Sequence, residues 1–351
     1  MRNLNKLLEI TLKEKASDLH LTVAVAPTIR VNGTLVQLGD EKLMPDETEE
    51  YAKEILGDLY EEYVLKGEMD ISYSLVGLGR FRANVFKQRG STAIALRVVG
   101  MKIPTLNDLN FPPVLKELTE RQRGLILVTG PTGSGKSTTL AAMINEINAS
   151  RADHIVTLED PIEYLHKHNK SIINQREIGK DSLSYQNALR AVLREDPDVI
   201  LVGEMRDIET ISIAITAAET GHLVLSTLHT IGAAKTIDRI IDVFPPYQQQ
   251  QIRVQLAAVI QGVISQQLLP TSNERGRVAA LEIMMATPAI QNLIREGKSH
   301  QIESSVQTGG KYGMKTMDMA IAELYKKGYI SQETAFTYSV DKEILSKMLS
   351  L

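Results

Sequence analysis

Residues Gly130 to Ser137 read GPTGSGKS, a complete G-x-x-x-x-G-K-S motif between the apolar run GLILVT and the helix-like run STTLAAMINEI. In that context the glycines let backbone N–H groups surround phosphates, and the helix N-terminus adds partial positive charge. Lys136 can reach the terminal phosphates, and the Ser137 hydroxyl can ligate Mg²⁺. The motif predicts that ATP and Mg²⁺ bind through Gly130, Pro131, Thr132, Gly133, Ser134, Gly135, Lys136, Ser137 and Thr138.

A carboxylate follows a second apolar run, Val199-Ile200-Leu201-Val202. Many P-loop enzymes place an aspartate at the end of such a strand to hold Mg²⁺. Here Gly203 occupies that place and Glu204 comes next. A glutamate just past a strand end can polarise a water aimed at the γ-phosphate, so Glu204 is the candidate base. The alternative is an ordinary exposed carboxylate.

The segment TLEDPIEY, residues 157–164, carries further acidic groups at the end of another predicted strand. Strand ends on this edge of a parallel sheet converge on the ligand. We therefore expect Glu159 and Glu163 to bind Mg²⁺ through water or to assist the base. Asp160 precedes Pro161, which predicts a helix that Asp160 caps and Pro161 begins.

Two histidines bracket the strand-like run LVLSTL. Seven residues apart on one strand, they lie near its opposite ends. His229 is then on the same edge as Glu204 and is the better sensor of the γ-phosphate. His222 lies at the far end, where a structural role and a role across a subunit interface both remain open. Neither histidine has a third ligand at metal-binding spacing.

Arginines near the start of the chain offer a charge from outside the phosphate loop. Arg80 and Arg82 share one face of a predicted strand, and Arg97 closes the next strand. They are either charges of a solvated sheet face or arginine fingers directed at a γ-phosphate. A single P-loop domain leaves its nucleotide exposed on one side, which favours a ring of subunits. Other arginines that could serve the same purpose flank the Glu204 strand: Arg190, Arg194 and Arg206.

The N-terminal elements alternate between helix and strand. Leucines recur at helical spacing in the first segment, at Leu4, Leu7, Leu8 and Leu12, and predict an amphipathic helix. Asn32-Gly33 between two apolar runs predicts a tight hairpin. Residues 70–99 predict three strands, with turns near Gly77-Leu78-Gly79 and Gly90. This composition predicts a small α+β domain over residues 1–100.

A proline-rich stretch, MKIPTLNDLNFPPVL, separates that domain from a second one over residues 101–351. There, GLILVTG, HIVTLED, DVILVGE and HLVLSTLHT are compact apolar strands, each separated from the next by a helical stretch. Such alternation predicts a parallel sheet with crossover helices, which is an α/β fold. After residue 240 the chain reads as mainly helical, with one hairpin near Gln267 to Ile283.

Composition excludes several classes of protein. The net charge is -4 and tryptophan is absent, which argues against a nucleic-acid partner. The absence of cysteine excludes disulfides, cysteine-ligated zinc and thiol catalysis. No run approaches the ~20 apolar residues of a membrane helix, and the charged N-terminus lacks the apolar core of a signal peptide. We therefore expect a cytoplasmic protein without direct membrane insertion.

Taken together, GPTGSGKS, TLEDPIEY, REDPDVILVGEMRD and TGHLVLSTLHT resemble the four motifs of the type II/IV secretion ATPases. Within that superfamily the chain is similar to the ATPases that retract type IV pili. The segments ASDLHLT, VNG, NQREIG, AAKTIDRIIDVFP and AIQNLIREGK also match, so the resemblance covers nearly the whole chain. One position departs, because Gln291 stands where these ATPases usually carry an arginine.

The resemblance implies a homo-hexameric ring of subunits with a PAS-like first domain and a RecA-like second domain. ATP would bind between the second domain of one subunit and the first domain of its neighbour, which agrees with Arg82 and Arg97 acting in trans. It implies motion about the linker near Pro104 and a place at the cytoplasmic face of the inner membrane, under the pilus platform protein. The pilus extension ATPase would be its functional antagonist.

Extension and type II secretion ATPases are similar but typically longer, and often carry a four-cysteine zinc insert. This chain has no cysteine and no long N-terminal extension, which favours retraction. Two alternatives remain: a paralogous accessory retraction ATPase, and a nucleotide-gated regulatory ring with weak turnover. Because Lys136 and Glu204 are both present, the enzyme is favoured over the regulatory ring.

Overall fold

The computed structural model describes residues 3–31, 33–75, 79–99, 103–273 and 276–349. The chain forms two compact units. The first comprises Met1–Lys102 together with Glu163–Leu165, and the second comprises Ile103–Ile162 and His166–Leu351. No helix in the described ranges is both long and apolar enough to span a bilayer.

The first unit is an antiparallel sheet with helices. Its elements are α1 (Leu4–Lys13), β1 (Asp18–Leu21), β2 (Thr28–Val31), β3 (Thr34–Gln37), α2 (Pro45–Leu56), α3 (Tyr60–Lys66), β4 (Glu68–Leu75), β5 (Gly79–Gln88) and β6 (Ser91–Val98). The strand order is β3-β2-β1-β6-β5-β4, and every described neighbouring pair is antiparallel. Leu4, Leu7 and Leu8 are buried, which confirms the predicted amphipathic helix.

The structure describes some, but not all, of the residues in the turns predicted for this unit. Val31 pairs with Thr34, so a two-residue turn joins β2 to β3, as a tight hairpin requires. Gly33 has φ +86°, which favours glycine, while Asn32 lies outside the described residues. The three predicted strands are β4, β5 and β6, and the turn at Gly90 is present. Gly77 and Leu78 lie outside the described residues.

The second unit alternates strands and helices before a helical C-terminal part. Its elements up to the last strand are α4 (Val114–Thr119), β7 (Gly124–Thr129), α5 (Lys136–Ser150), β8 (His154–Glu159), β9 (Ile172–Glu177), α6 (Tyr185–Val192), β10 (Val199–Val202), α7 (Ile208–Glu219), β11 (Leu223–Leu228), α8 (Ala233–Asp242), α9 (Pro246–Val259), β12 (Ile260–Pro270) and β13 (Arg277–Met285). The remaining helices are α10 (Pro288–Arg295), α11 (Ile302–Thr308), α12 (Met317–Lys326), α13 (Gln332–Tyr338) and α14 (Lys342–Leu349).

The strands of this unit form one sheet in the order β13-β12-β7-β11-β10-β8-β9. All neighbours are parallel except β12 and β13, which form an antiparallel hairpin. Strands β7, β10 and β11 are buried along their whole length, which is why apolar residues dominate their sequences. The predicted parallel sheet and C-terminal hairpin are confirmed. The carboxyl ends of β7, β8, β10 and β11 meet at one edge of the sheet.

Two predictions about this unit need correction. Between β8 and β10 the chain forms an extra strand, β9, which the sequence patterns did not predict. No helix follows Asp160, so the predicted N-cap at Asp160 with Pro161 in the first turn is wrong. The backbone donors there are taken by side chains of β9: Ile162 N donates to Glu177 Oε2 (3.1 Å) and His166 N to Gln175 Oε1 (2.8 Å).

Candidate nucleotide site

The phosphate loop lies between β7 and the N-terminus of α5. Gly130, Gly133 and Gly135 have φ values of +140°, +78° and +90°, a region that favours glycine. A Cβ atom at Gly130 would lie 2.2 Å from the Gln266 carbonyl oxygen, and one at Gly135 would lie 2.8 Å from Gln266 Nε2. Two of these glycines are therefore required by close packing as well as by backbone conformation.

Lys136 places its charge inside this loop. Its Nζ donates to the carbonyl oxygens of Gly130 (2.9 Å) and Pro131 (3.0 Å), and the residue is buried. The loop also holds a buried hydroxyl, because Ser134 Oγ has no hydrogen-bond partner among the described residues. Buried polar groups are normally hydrogen-bonded, so a polar ligand is needed there. A cation, an unpartnered hydroxyl and a helix N-terminus together fit a phosphate group.

Glu204 lies at the carboxyl edge, just beyond β10. Its side chain is 13% exposed, and its Oε1 accepts a hydrogen bond from Arg206 Nη2 at 2.5 Å. Its Oε2 lies 3.4 Å from His229 Nε2. The structure thus brings Glu204 and His229 together, as the sequence predicts. His222 lies at the opposite end of β11, where its carbonyl accepts from Gly124 N, next to the start of β7.

Tyr185 explains why glycine precedes Glu204. A Cβ atom at Gly203 would lie 2.7 Å from the Tyr185 hydroxyl and 3.1 Å from the Leu158 carbonyl oxygen, so the aspartate common at this place would not fit. Burial raises the pKa of Tyr185, and the nearby carboxylates of Asp160, Glu204 and Glu159 raise it further. The phenol therefore stays neutral beside three acidic groups. Tyr185 belongs to no motif, and sequence reasoning missed it.

Glu159 and Glu163 have different surroundings. Glu159 Oε1 accepts from Thr157 Oγ1 (2.6 Å) and Gln175 Nε2 (3.0 Å), which fixes its carboxylate at the end of β8. Glu163 is exposed and belongs to the first compact unit. Strand β8 pairs directly with β10, so Glu159 and Glu204 follow adjacent strands.

A cavity of about 380 Å³ adjoins the Glu204 edge. Glu204, Arg206 and His229 contribute polar groups to its lining, and Arg239 adds a second guanidinium. The rest of the lining includes apolar side chains such as Ile211. Arg190 is engaged elsewhere, in an ion pair with Glu209.

Arg82 and Arg97 both pair with carboxylates of the first unit. Arg97 Nε lies 2.9 Å from Asp18 Oδ1, although the Arg97 side chain is 72% exposed. Burial raises the pKa of Asp18, but hydrogen bonds from Ser17 and Arg97 outweigh it, and the pKa lies below its usual range. Arg82 stands opposite Arg97 in the register of β5 and β6 and has a longer contact, 3.9 Å, to Asp70. Arg82 is therefore less constrained than Arg97.

The C-terminal hairpin also contributes to the site, although no sequence motif marks it. Gln266 of β12 is 2% exposed and hydrogen-bonds to the phosphate loop. Ser265 and Glu282, which face each other across the hairpin, accept from the amides of Gly232 and Ala233 at the start of α8. A polar residue in an otherwise apolar strand signals a buried hydrogen bond, but it does not identify the partner.

The chain is similar to known proteins of one family. The family model described as "Type II/IV secretion system protein" matches residues 80–335. The chain is 48% identical over 337 residues to the "Type IV pilus retractation ATPase PilT" of Pseudomonas aeruginosa, covering 95% of this chain and 97% of that protein. It is 38% identical over 347 residues to the type IV pilus ATPase PilU of the same organism, covering 99% and 91%.

A solved structure is similar over the whole length. The crystal structure of the pilus retraction motor PilT with bound ADP superposes with a TM-score of 0.92 at 48% identity, covering 99% of this chain and 100% of that one.

Proposed function

This chain belongs to the type II/IV secretion system protein family, and from that premise we propose that it is the ATP-hydrolysing motor of type IV pilus retraction. The observation that carries the proposal is the 48% identity to a pilus retraction ATPase across 95% of the chain. The accessory paralogue is the second candidate. The higher identity to PilT than to PilU, 48% against 38%, favours the main retraction ATPase.

ATP binds, in this proposal, with its phosphates in the loop from Gly130 to Ser137. Lys136 exchanges its two loop carbonyls for phosphate oxygens, and Ser134 Oγ donates to the same group. The Lys136 contact then joins two charged groups, which makes it stronger than the contacts to neutral carbonyls, and the Ser134 contact gives a partner to a hydroxyl that has none. The loop and α5 N-terminus hold the phosphates in one orientation, which is most of what catalysis of phosphoryl transfer requires.

Mg²⁺ fits the oxygen donors of this edge. No group of three or more acidic or histidine side chains in the described ranges could hold a metal alone. That suits Mg²⁺, which binds through one or two protein oxygens together with substrate phosphates. We assign Ser137 as its direct ligand, with Glu159 and Glu163 acting through water. When bound, the ion would supply positive charge to the phosphate oxygens.

Glu204 has the position of the general base. Its carboxylate is mostly buried, and it follows β10 at the same edge of the sheet at which the phosphate loop follows β7. From this edge it can accept a proton from an attacking water. His229 lies 3.4 Å from Glu204, and we assign it as the sensor of the γ-phosphate. The neutral hydroxyl of Tyr185 lies close enough to the carboxylates of Glu159 and Glu204 for their charges to raise its pKa.

The assembly we propose is a homo-hexameric ring, with a PAS-like first domain over residues 1–100 and a RecA-like second domain over residues 101–351. The ring acts at the cytoplasmic face of the inner membrane against the pilus platform protein, and a pilus extension ATPase opposes it. The similar structure described as a pilus retraction motor supports the role in pilus retraction.

In the ring, Arg82 and Arg97 of one subunit would complete the nucleotide site of its neighbour. We expect Arg82→Ala and Arg97→Ala each to lower ATP hydrolysis while the chain stays folded, because the γ-phosphate loses a cation. Mixing Arg82→Ala subunits with Glu204→Gln subunits should restore some phosphate release, since some interfaces then combine an intact arginine with an intact base.

Two controls accompany this experiment: whether each arginine variant still forms rings, and the behaviour of the Asp18→Asn variant. No recovery in verified mixed hexamers would count against action in trans. If either arginine variant fails to form rings, that arginine is a structural charge instead. Asp18→Asn removes the partner of Arg97 without removing the guanidinium. Should Asp18→Asn and Arg97→Ala lower the unfolding temperature equally while both leave hydrolysis intact, Arg97 serves only that ion pair.

Retraction of surface pili tests the function itself. A strain in which this chain is the sole retraction ATPase should withdraw its pili, and the same strain carrying the Lys136→Ala variant should not. A strain that retracts only when a second retraction ATPase is present would identify this chain as the accessory paralogue. Phosphate release too slow to measure, together with normal ATP binding, would identify a regulatory ring.

A further inference from the structure

The side chain of Gln266 lies under the phosphate loop and bonds to it on both sides of Lys136. Its Nε2 donates to the Ser134 carbonyl oxygen at 2.6 Å, and its Oε1 accepts from Thr139 Oγ1 at 2.6 Å. Thr139 Oγ1 also reaches the Gly135 carbonyl oxygen, at 3.2 Å. One buried amide thus joins the loop before Lys136 to the first turn of α5 after it.

The backbone of Gln266 bounds the same loop. Its carbonyl oxygen occupies the space that a Cβ atom at Gly130 would need, at 2.2 Å. Its Nε2 does the same for Gly135, at 2.8 Å. The loop is therefore built against β12, 130 residues along the chain, as well as against β7 and α5 that flank it in sequence.

Burying the polar amide of Gln266 costs free energy, and its hydrogen bonds to Ser134 and Thr139 offset that cost. Ile264 and Leu268 flank Gln266 on the same face of β12; both are apolar, and Ile264 is fully buried. A polar side chain among such neighbours persists because both ends of its amide are hydrogen-bonded. The bonds in turn restrict the backbone between Ser134 and Thr139, which carries Lys136.

We propose that Gln266 is a positioning residue that holds the phosphate loop in its nucleotide-binding shape, an inference that rests on the nucleotide site proposed above. It does not touch the nucleotide. It acts through the Ser134 carbonyl and the Thr139 hydroxyl, and its removal lets the loop leave the conformation in which Lys136 and the backbone amides converge on phosphate.

The neighbouring Gln267 offers a matched control. It has the same side chain on the same strand, faces the other side of the sheet, and has only a 3.5 Å contact from its Nε2 to the Tyr338 carbonyl oxygen. Gln266→Leu should raise the Kd for ADP and the KM for ATP roughly 10-fold or more, because two buried partners lose their hydrogen bonds. Gln267→Leu should change neither, when both are measured by fluorescent ADP titration and by steady-state phosphate release.

Thr139→Val is a second test, because valine has nearly the same shape as threonine but lacks its hydroxyl. It should weaken ADP binding by less than Gln266→Leu, because only one of the two bonds is lost. In the double variant the effect of Thr139→Val should disappear or shrink, since its partner is already gone. Fully additive effects would contradict the proposed contact. If Gln266→Leu does not fold, Thr139→Val alone decides, and unchanged ADP affinity overturns the proposal.

The measurements separate this inference from the proposed site. Normal ADP binding by Lys136→Ala would overturn the nucleotide site itself. Loss of binding in Lys136→Ala, with Gln266→Leu equal to Gln267→Leu, would overturn only the role of Gln266. If Gln266 is important only for stability, Gln266→Leu should have a lower unfolding temperature, but its folded fraction should bind ADP with unchanged affinity. That result too would overturn the proposal.

Discussion

Replacing Lys136 with alanine is expected to abolish ATP hydrolysis and to weaken nucleotide binding. Lys136 brings a buried ammonium into the phosphate loop, held there by the carbonyls of Gly130 and Pro131. Without it, the phosphate loop offers the terminal phosphates backbone dipoles and hydroxyls but no cation of its own. Loss of one well-placed donor to a transition state costs ~10²–10³ in rate, and a buried cation is worth at least as much.

Lys116 supplies the control for this variant. Its Nζ pairs with Glu146 on α5 at 3.0 Å, but it is exposed and remote from the loop sequence. Lys116→Ala should therefore leave phosphate release and ADP binding near those of the unaltered protein, because exposed ion pairs contribute little. Near-normal turnover by purified Lys136→Ala would remove the phosphate loop from the catalytic site. Circular dichroism on both variants establishes that the chain remains folded.

The phosphate loop could be predicted because its chemistry is local. All of its predicted ligating groups lie in nine consecutive residues, and the strand and helix that frame them are the adjacent segments. The carboxyl edge could be predicted for a related reason. Once a parallel sheet is inferred, the residues after each strand must lie together, and Glu204 and His229 do.

Contacts between distant segments could not be predicted in that way. Gln266 reaches the phosphate loop from β12, and Tyr185 reaches Gly203 from α6. Each is a single residue of ordinary type, so neither produces a spacing or a motif. Gly203 was an indirect signal, because a glycine in place of the usual aspartate indicates that another group occupies the space of the missing side chain. The hydroxyl of Tyr185 is what fills it.

The errors near TLEDPIEY have physical causes. Strand β9 lies at the edge of its sheet and is only partly buried, so only the first two residues of its sequence IINQRE are apolar, whereas apolar residues dominate the central strands. Its polar side chains then take the amides of Ile162 and His166, which leaves no helix for Asp160 to cap. A capping pattern predicts a helix only when no competing acceptor is available, and β9 supplied two.

Glu204→Gln is expected to separate ATP binding from hydrolysis. The substitution keeps the size of the side chain and an oxygen that can accept from Arg206, but it removes the basicity of the carboxylate. ATP should bind with nearly unchanged affinity, while phosphate release falls by ~10²-fold or more through loss of the general base. Fluorescent ATP titration and a phosphate-release assay on the same preparation measure the two effects.

Two further variants decide whether basicity or ion pairing is responsible for that fall. Glu209, in the first turn of α7, also pairs with an arginine, Arg190, and Glu209→Gln should leave hydrolysis unchanged. Arg206→Ala breaks the ion pair but preserves the Glu204 carboxylate, so it should reduce hydrolysis far less than Glu204→Gln. If Arg206→Ala matches Glu204→Gln, the ion pair matters and not the base. Loss of ATP binding in Glu204→Gln would instead make Glu204 a residue that holds Mg²⁺ or the fold of the edge, because a general base acts only after the nucleotide is bound.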